Sequence, residues 1–288
     1  MSGLIKWDGK PITEPGLYDM PELDYHADPV PGGSFSSTMA KQILKSPANL
    51  RHYLDSPRVE KKVFDIGHAI HAGVLSVGLE LVEIPDELLS GANRSVSSAE
   101  AKEWVAGAYL AGQVPLKAHE IAPIQAAVDA VKSHPLAGPI FTNGTPEVSA
   151  FAIDPETGMW LRARFDWVNF DHTLTDLKSA NDGEPVKFER KGRDLGYHVQ
   201  EAFYRHVYGL ASGVAAKDFQ FATVETSAPY LVDVHAPIDW PLMGESARKK
   251  ATALYKECME SGEWPGRPAE INYTQSPMWA LDEEEIEV

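Results

Sequence analysis

The pattern of apolar and polar positions divides the chain into a helical first half and a second half that contains strands. Residues 1–35 are rich in Pro, Gly and Asp, which is typical of loops with little regular structure. Ser36 or Ser37 then provides a hydroxyl that can cap a first helix. The helices predicted up to residue 140 are two short ones that end before Pro47 and Pro57, followed by 64–77, 98–111 and 117–133.

From Thr145 onward, short runs rich in β-branched and aromatic residues replace the helical pattern. The predicted strands are 146–153, 160–169, 173–178, 218–226 and 230–236. The predicted helices are a short one after the polar loop 179–184, one that Asp194 caps and that extends to about Leu210, and one over 240–261. This order predicts an α/β fold with a mixed central sheet flanked by helices. We interpret the chain as one domain made of an irregular arm 1–35, a mainly helical part 36–140, a sheet-containing core 141–262 and an irregular acidic tail 263–288.

Cysteine content and hydropathy exclude several classes of protein and site. Cys258 is the only cysteine, so an intrachain disulfide, a four-cysteine zinc site and an iron–sulfur cluster are excluded. A metal ion must therefore be held by oxygen and imidazole ligands. No apolar run reaches the roughly 18 residues of a membrane span, and residues 1–8 lack the apolar stretch of a signal peptide. We therefore expect a cytoplasmic protein.

The net charge of −16 argues against a nucleic-acid partner, because such proteins usually present a basic surface. The charge is unevenly distributed, however. The tail 280–288 carries five acids and no base, whereas the stretch 36–62 carries six bases against two acids. Candidate DNA contacts in that stretch are Lys41, Lys45, Arg51 and Arg58. The alternative interpretation is an ordinary solvated helix face.

The strongest chemical signal is a pair of acids on two neighbouring predicted strands, Asp166 in RARFD and Asp176 in DLK. If the turn between them is centred at Asp171, Asp166 faces Asp176, with Cβ atoms about 4.5–5.5 Å apart. Lys178 then lies beside Asp176, because residues i and i+2 of a strand share a face. The pattern predicts two carboxylates and a lysine on one face of a hairpin.

Two facing carboxylates repel each other, and a divalent cation such as Mg²⁺ or Mn²⁺, which prefers oxygen ligands, relieves that repulsion. A nearby lysine can orient or deprotonate the attacking water, or offset charge at a phosphate, as in metal-assisted phosphodiester hydrolysis. The same register pairs Phe165 with Leu177 on the apolar face. The alternative is a surface hairpin with solvated charges, since a register slip of one residue would turn one carboxylate to the other face.

Four motifs in order resemble the RecB/RecE branch of the PD-(D/E)XK nucleases, and most of all the RecE-type (exonuclease VIII-like) recombination exonucleases. The motifs are G-x-x-x-H at 67–71, Arg164-Phe165-Asp166, Asp176-Leu177-Lys178 and Q-x-x-x-Y at 200–204, and Trp264-Pro265 resembles the tail of such enzymes. The resemblance extends from about residue 35 to 270, and it implies that the α/β fold has a restriction-endonuclease-like core. Phe165 stands where many relatives have proline, which is not a ligand, so the chemistry should survive.

The resemblance implies roles for individual residues. The implied metal ligands are His71, Asp166, Asp176 and, in a supporting role, Glu147, and the implied catalytic lysine is Lys178. The residues implied to face the active site and DNA are Gln200 and Tyr204, one turn apart on a helix, and Tyr197 one turn earlier. His68 is expected nearby or on the surface. For Arg164 two alternatives stay open, an ion pair across the sheet or a phosphate contact.

The resemblance also implies an activity and partners. We expect an exonuclease that degrades linear double-stranded DNA, 5′→3′, for recombination in a bacterial or phage-encoded setting. Its expected partners are DNA ends, a single-strand annealing protein and further copies of itself in a ring. The alternatives are a non-catalytic DNA-binding or assembly protein on the same fold, and an endonuclease of the same superfamily. A nuclease with a four-cysteine cluster or a helicase motor is disfavoured by the single cysteine and by the lack of a G-x-x-x-x-G-K-[ST] loop.

Overall fold

The computed structural model of the protein describes residues 3–56, 66–77, 80–111 and 113–275. It confirms the predicted fold class, a mixed central sheet flanked by helices. Arg58 and the acidic tail 280–288 lie outside the described residues. No helix in the described ranges is both long and apolar enough to cross a membrane.

Ten strands and ten α-helices make up the described chain, together with a short 3-10 turn at Asp86–Leu88. The strands are β1 Leu4–Lys6, β2 Gly16–Asp19, β3 Phe35–Ser36, β4 Glu80–Glu83, β5 Gln113–Leu116, β6 Gly144–Ile153, β7 Trp160–Asn169, β8 Thr173–Ala180, β9 Asp218–Glu225 and β10 Val232–His235. The helices are α1 Glu22–Ala27, α2 Ser37–Ile43, α3 Pro47–Asp55, α4 Ile66–Leu75, α5 Ala99–Leu110, α6 Ala118–Ser133, α7 Ala137–Ile140, α8 Pro185–Asp194, α9 Tyr197–Ser212 and α10 Trp240–Ser261.

The central sheet has the order β1-β2-β6-β7-β8-β9-β10, with β3 pairing beside β7. β6, β7 and β8 are antiparallel, whereas β8 and β9 are parallel. Phe221 and Ala222 follow each other on β9 and therefore point to opposite faces, and they belong to two different apolar clusters. Helices α2, α9 and α10 pack in the first cluster, and α4 and α6 pack in the second.

The N-terminal arm contradicts the expectation of loops. β1 and β2 extend the sheet, because β2 pairs antiparallel with β6. Tyr18 of β2 and Tyr25 of α1 are buried, and both rings contact Phe151 of β6. Strands of three and four residues are too short to show a period of two, so long-range pairing decides their structure.

The helices predicted from the sequence form close to their predicted bounds, whereas α1 and α7 were not predicted and the start of α9 differs from the prediction. Ser36 caps α2 by accepting a hydrogen bond from the backbone N–H of Met39, as predicted. The predicted cap at Asp194 is wrong, because Asp194 is the last residue of α8 and α9 begins after Gly196. Gly196 has a φ of 70°, which glycine adopts without a steric penalty. Only two residues, Leu195 and Gly196, therefore connect α8 to α9.

The β7–β8 hairpin has the predicted register, but its ladder ends early. Trp167 pairs with Thr175 and Val168 with Leu174. The expected pair of Phe165 and Leu177 does not form, since these two side chains lie in the clusters on opposite faces of the sheet. Beyond this point β7 continues along β6 and β3, and β8 continues along β9. The sheet therefore forks at Asp166 and Asp176.

Candidate active site

Three carboxylates meet where the sheet forks. Glu147 on β6 lies opposite Asp166 on β7, because the residues on both sides of them pair in register. Asp176 on β8 is the next residue past the last β7–β8 pair. Glu147 has a φ of 54°, a left-handed conformation that non-glycine residues seldom adopt and that often accompanies functional sites.

His71 of α4 joins two of these carboxylates from the helix side. Its Nε2 lies 2.8 Å from Oδ2 of Asp166, and its Nδ1 lies 3.6 Å from Oε1 of Glu147. Burial lowers the pKa of His71, but the charges of Asp166 and Glu147 outweigh burial and raise it to about 9. One ligand atom from each of the three residues falls within 4.8 Å of the others, so the group could hold a metal ion.

Asp176 lies beside this trio and is held by two neighbours. The Nε2 of Gln200 donates a hydrogen bond of 2.5 Å to its Oδ1. Its buried Oδ2 forms an ion pair with Nζ of Lys178, 2.5 Å away. Burial raises the pKa of Asp176 to about 6 against the effect of Lys178, and the charge of Asp166 adds to the rise.

The donors present fit a divalent cation. With a single cysteine in the chain, a metal ion would be held by oxygen and imidazole ligands, and these are the groups present. Burial raises the pKa of Asp176 and the charge of Asp166 adds to the rise, so a cation nearby would stabilise its ionised form. Of the four predicted ligands, the structure groups His71, Glu147 and Asp166. Asp176 is adjacent to the group, and its buried Oδ2 is paired with Lys178.

The surroundings of Lys178 favour its protonated, ammonium form. Burial lowers its pKa, but Asp176 and Asp166 outweigh burial, and the net pKa is raised. Its Nζ lies 5.0 Å from the centroid of the Tyr197 ring, a cation–π distance. That ring stacks on Phe221 with centroids 5.4 Å apart. A lysine held in this form is suited to offset charge at a phosphate rather than to remove a proton from water.

One face of α9 approaches the carboxylates, as the Q-x-x-x-Y spacing predicts. Gln200 contacts Asp176 directly. Tyr204, one turn later, packs edge-on against Phe165 with centroids 5.2 Å apart. Burial raises the pKa of Tyr204 well above its ordinary value, and the nearby charges of Asp176 and Asp166 add to the effect. Tyr204 is therefore a neutral hydroxyl beside the site.

Arg164 makes an ion pair across the sheet, which is the first of the two alternatives for this residue. Its Nε donates to Oε2 of Glu147 at 2.6 Å, and its NH1 donates to Oγ of Ser149 and to the carbonyl oxygen of Met20. The guanidinium thus fixes the Glu147 carboxylate instead of facing solvent. His68 is on the surface, half exposed, with Nε2 3.7 Å from Glu22.

The basic stretch 36–62 divides into residues near the site and residues away from it. Lys41 packs against Gly196, where an added Cβ would lie 2.9 Å from its Cδ. Burial lowers the pKa of Lys41 to about 8, and the charge of Lys178 contributes. Lys45 is exposed. Arg51 instead pairs with Asp55 and lies over the Trp264 ring.

A cavity of about 440 Å³ lies along another face of α9, away from the carboxylates, and Glu201 lines it. The Glu201 side chain is 1% exposed, Arg205 lies 3.3 Å from Oε1, and Oε2 has no partner. Burial raises the pKa of Glu201 to about 7, although Arg205 acts in the opposite direction. Sequence reasoning did not single out this buried acid, because its position on α9 shows no motif.

We expect Glu201→Gln to stabilise the protein at pH 8 and not at pH 4.5. The folded-state pKa lies above the ordinary value of 4.5, so stability falls as pH rises through that interval toward 7. A neutral amide avoids this loss, which is at most about 3 kcal/mol. Urea denaturation at both pH values measures the difference, and Glu189→Gln, on the exposed side of α8, serves as the control. A gain that is equal at both pH values would contradict the assignment.

We expect His71→Ala to weaken the response of DNA cleavage to metal concentration or to abolish cleavage, and His68→Ala to have a milder effect. His71 contacts Asp166 and Glu147, whereas His68 contacts Glu22 on the surface. Titrating Mn²⁺ against the initial rate of each variant compares them. The reverse ranking would show that the other histidine is the ligand.

The chain was compared with protein families, with curated proteins and with solved structures. Residues 36–277 match the family described as a PDDEXK-like domain of unknown function, DUF3799. A protein from Eubacterium rectale, provisionally named an exonuclease, is similar in structure with a TM-score of 0.55 and 10% identity, over 92% of this chain and 97% of that chain. At that identity the likeness shows the fold alone. An alkaline exonuclease from Laribacter hongkongensis aligns at 14% identity over 68% of this chain and 96% of that chain, with a TM-score of only 0.29. No curated protein matches.

Proposed function

Since the chain belongs to the DUF3799 family of PDDEXK-like domains, we propose that it is a metal-dependent nuclease that degrades linear double-stranded DNA from its ends. The resemblance to PD-(D/E)XK nucleases is thereby confirmed, and the narrower RecE-type assignment belongs to the proposal. The observation that supports the activity best is the fork of the sheet. It brings Asp166, Asp176 and Lys178 together with His71 from α4.

The proposed metal is Mg²⁺ or Mn²⁺, held by His71, Glu147 and Asp166 with Asp176 beside them. A bound divalent cation supplies a nucleophile at neutral pH and stabilises charge at the phosphate. Lys178 offers its ammonium to the phosphate from the opposite strand of the fork. Around this site, Arg164 holds the Glu147 carboxylate and Gln200 holds that of Asp176. Such neighbours fix the orientation of reactive groups before substrate binds.

The proposed polarity is 5′→3′, with a role in recombination, a single-strand annealing protein as partner and a ring-shaped homo-oligomer. These properties are the ones that the resemblance to RecE-type exonucleases implies. The net charge of −16 is compatible with DNA binding if the contacts concentrate around the fork and in a channel. A non-catalytic relative is disfavoured because it would be expected to lack at least one of His71, Asp166, Asp176 and Lys178.

Linear duplexes labelled at one 5′ or one 3′ end, compared with covalently closed circles, test the proposed activity. We expect linear DNA to be degraded with Mg²⁺, the 5′ label to be released first and closed circles to resist. An end lets one strand be led past a single site, whereas an internal bond in intact duplex would require the helix to be opened. Rapid nicking of closed circles would indicate an endonuclease. Binding without cleavage under Mg²⁺ and Mn²⁺ would indicate the non-catalytic alternative.

A further inference from the structure

Helix α8 carries a group of basic residues beside the candidate active site, and the reasoning from sequence missed it. Its four basic residues are Lys187, Arg190, Lys191 and Arg193. Two of them are neutralised locally, Lys187 by Asp182 and Arg193 by Glu189. In the described part of the chain, Arg190 and Lys191 form no ion pair within 4 Å. These two charges are therefore available to a ligand.

The packing of α8 fixes its position relative to the catalytic lysine. The ring of Phe188 stacks on His235 with centroids 3.9 Å apart. Gly192, one turn later on the same face, abuts Trp240 and Tyr197, because an added Cβ would lie 2.5 Å from the first ring and 3.1 Å from the second. Lys191 precedes this glycine. The close contact at Gly192 therefore holds the backbone of Lys191 next to Tyr197.

Lys191 and Lys178 line the same surface notch. The notch is lined by Lys178, Ser179, Ala180, Asp182, Phe188, Lys191, Tyr197 and Thr223. On another side of the α8–α9 junction, Lys41 packs against Gly196. Three lysines from three separate elements thus surround the start of α9. The charges of Lys41 and Lys178 act on each other, and an anion placed beside all three lysines would be attracted by each of them.

We infer that Lys191 contacts a backbone phosphate of the DNA strand beside the scissile phosphate, so that the strand passes between α8 and the fork of the sheet. This inference rests on the proposed nuclease function. The notch has a volume of only about 20 Å³, which is roughly one water-sized group and too small to enclose a free phosphate. A phosphate at its mouth would belong to an extended chain that continues across the surface.

The salt dependence of DNA binding tests this contact without requiring cleavage. Binding of the full chain to a linear duplex is measured in EDTA at several salt concentrations for wild type, Lys191→Ala, Lys191→Arg and Lys187→Ala. We expect Lys191→Ala to weaken binding severalfold and to reduce the slope of log K against log salt by about 0.7–0.9, the value for one phosphate contact. Lys191→Arg should keep the wild-type slope. Lys187→Ala is the matched control one turn away, and it should change the slope little because Asp182 already neutralises Lys187.

Two results would overturn the inference. The first is a wild-type slope in Lys191→Ala, or an equal loss in Lys187→Ala. The second is displacement of DNA by inorganic phosphate at matched ionic strength in wild type but not in Lys191→Ala, which would indicate a site for a free anion. Failure of the proposed function appears separately, as a wild-type protein that does not cleave DNA with Mg²⁺ or Mn²⁺, because the slope is measured without metal.

Discussion

Asp176→Asn should lower the rate of DNA cleavage by orders of magnitude while DNA binding remains measurable. The substitution keeps the shape of the side chain and removes the charge that faces Lys178 at 2.5 Å. Lys178→Ala should lower the rate by about 10²- to 10³-fold, the range for loss of one preorganised group that stabilises charge in the transition state. Both changes affect the chemical step rather than docking. Single-turnover cleavage of a linear duplex with Mg²⁺ gives the rates, and binding in EDTA gives the affinity.

The hairpin that carries both residues also offers a matched control. Asp171 lies in its turn and pairs on the surface with Lys217 at 2.6 Å. We expect Asp171→Asn to cleave at nearly the wild-type rate, because an exposed ion pair contributes little and lies away from the fork. If Asp176→Asn or Lys178→Ala cleaves as fast as this control, the active site lies elsewhere in the chain.

The register of the hairpin could be predicted from sequence because a tight turn fixes which residues of its two strands face each other. The early end of the hydrogen-bonded ladder between β7 and β8 could not be predicted from the sequence. It depends on β6 and β3 continuing along β7 and on β9 continuing along β8. Where the strands part, the side chain of Asp166 accepts the hydrogen bond from the backbone N–H of Leu177. The fork, which creates the site, is thus a product of long-range pairing.

The partners of charged residues show the same division between local and long-range information. Helical spacing placed Gln200 and Tyr204 on one face, because that relation is local. The partner of Arg164 was left open, since its contact with Glu147 depends on the register between β6 and β7. Likewise Arg51 was grouped with candidate DNA contacts, whereas Trp264, more than 200 residues later, covers its guanidinium.

The basic helix α8 was overlooked for a different reason. Its basic residues are interspersed with Glu189 and Asp194, so the sequence alone is typical of a solvated helix face. Tertiary structure separates the basic residues that have acidic partners from those that do not. It also brings Lys191 to the notch beside Lys178. Sequence charge counts therefore identify basic stretches but not the charges left available to a ligand.

Removal of divalent metal ions should abolish cleavage. With excess EDTA we expect no degradation of linear duplex, and with added Mg²⁺ or Mn²⁺ we expect recovery. The three ligand atoms of His71, Glu147 and Asp166 lie within 4.8 Å of one another, and Asp176 lies beside them with its buried Oδ2 paired to Lys178. In the absence of a cation these carboxylates repel each other across the fork. Full activity in excess chelator would exclude the metal mechanism.

Thermal unfolding without DNA separates metal binding from catalysis. A ligand that binds only the folded state stabilises it by about 2.7 kcal/mol at a concentration 100 times its Kd. Mn²⁺ should therefore raise the melting temperature of the wild type and of Lys178→Ala, which keeps every predicted ligand. The rise should be smaller in His71→Ala and in Glu147→Gln, while His68→Ala should keep the wild-type shift because its imidazole lies on the surface beside Glu22. An equal rise in all five proteins would place the metal outside this site, even if EDTA stopped cleavage.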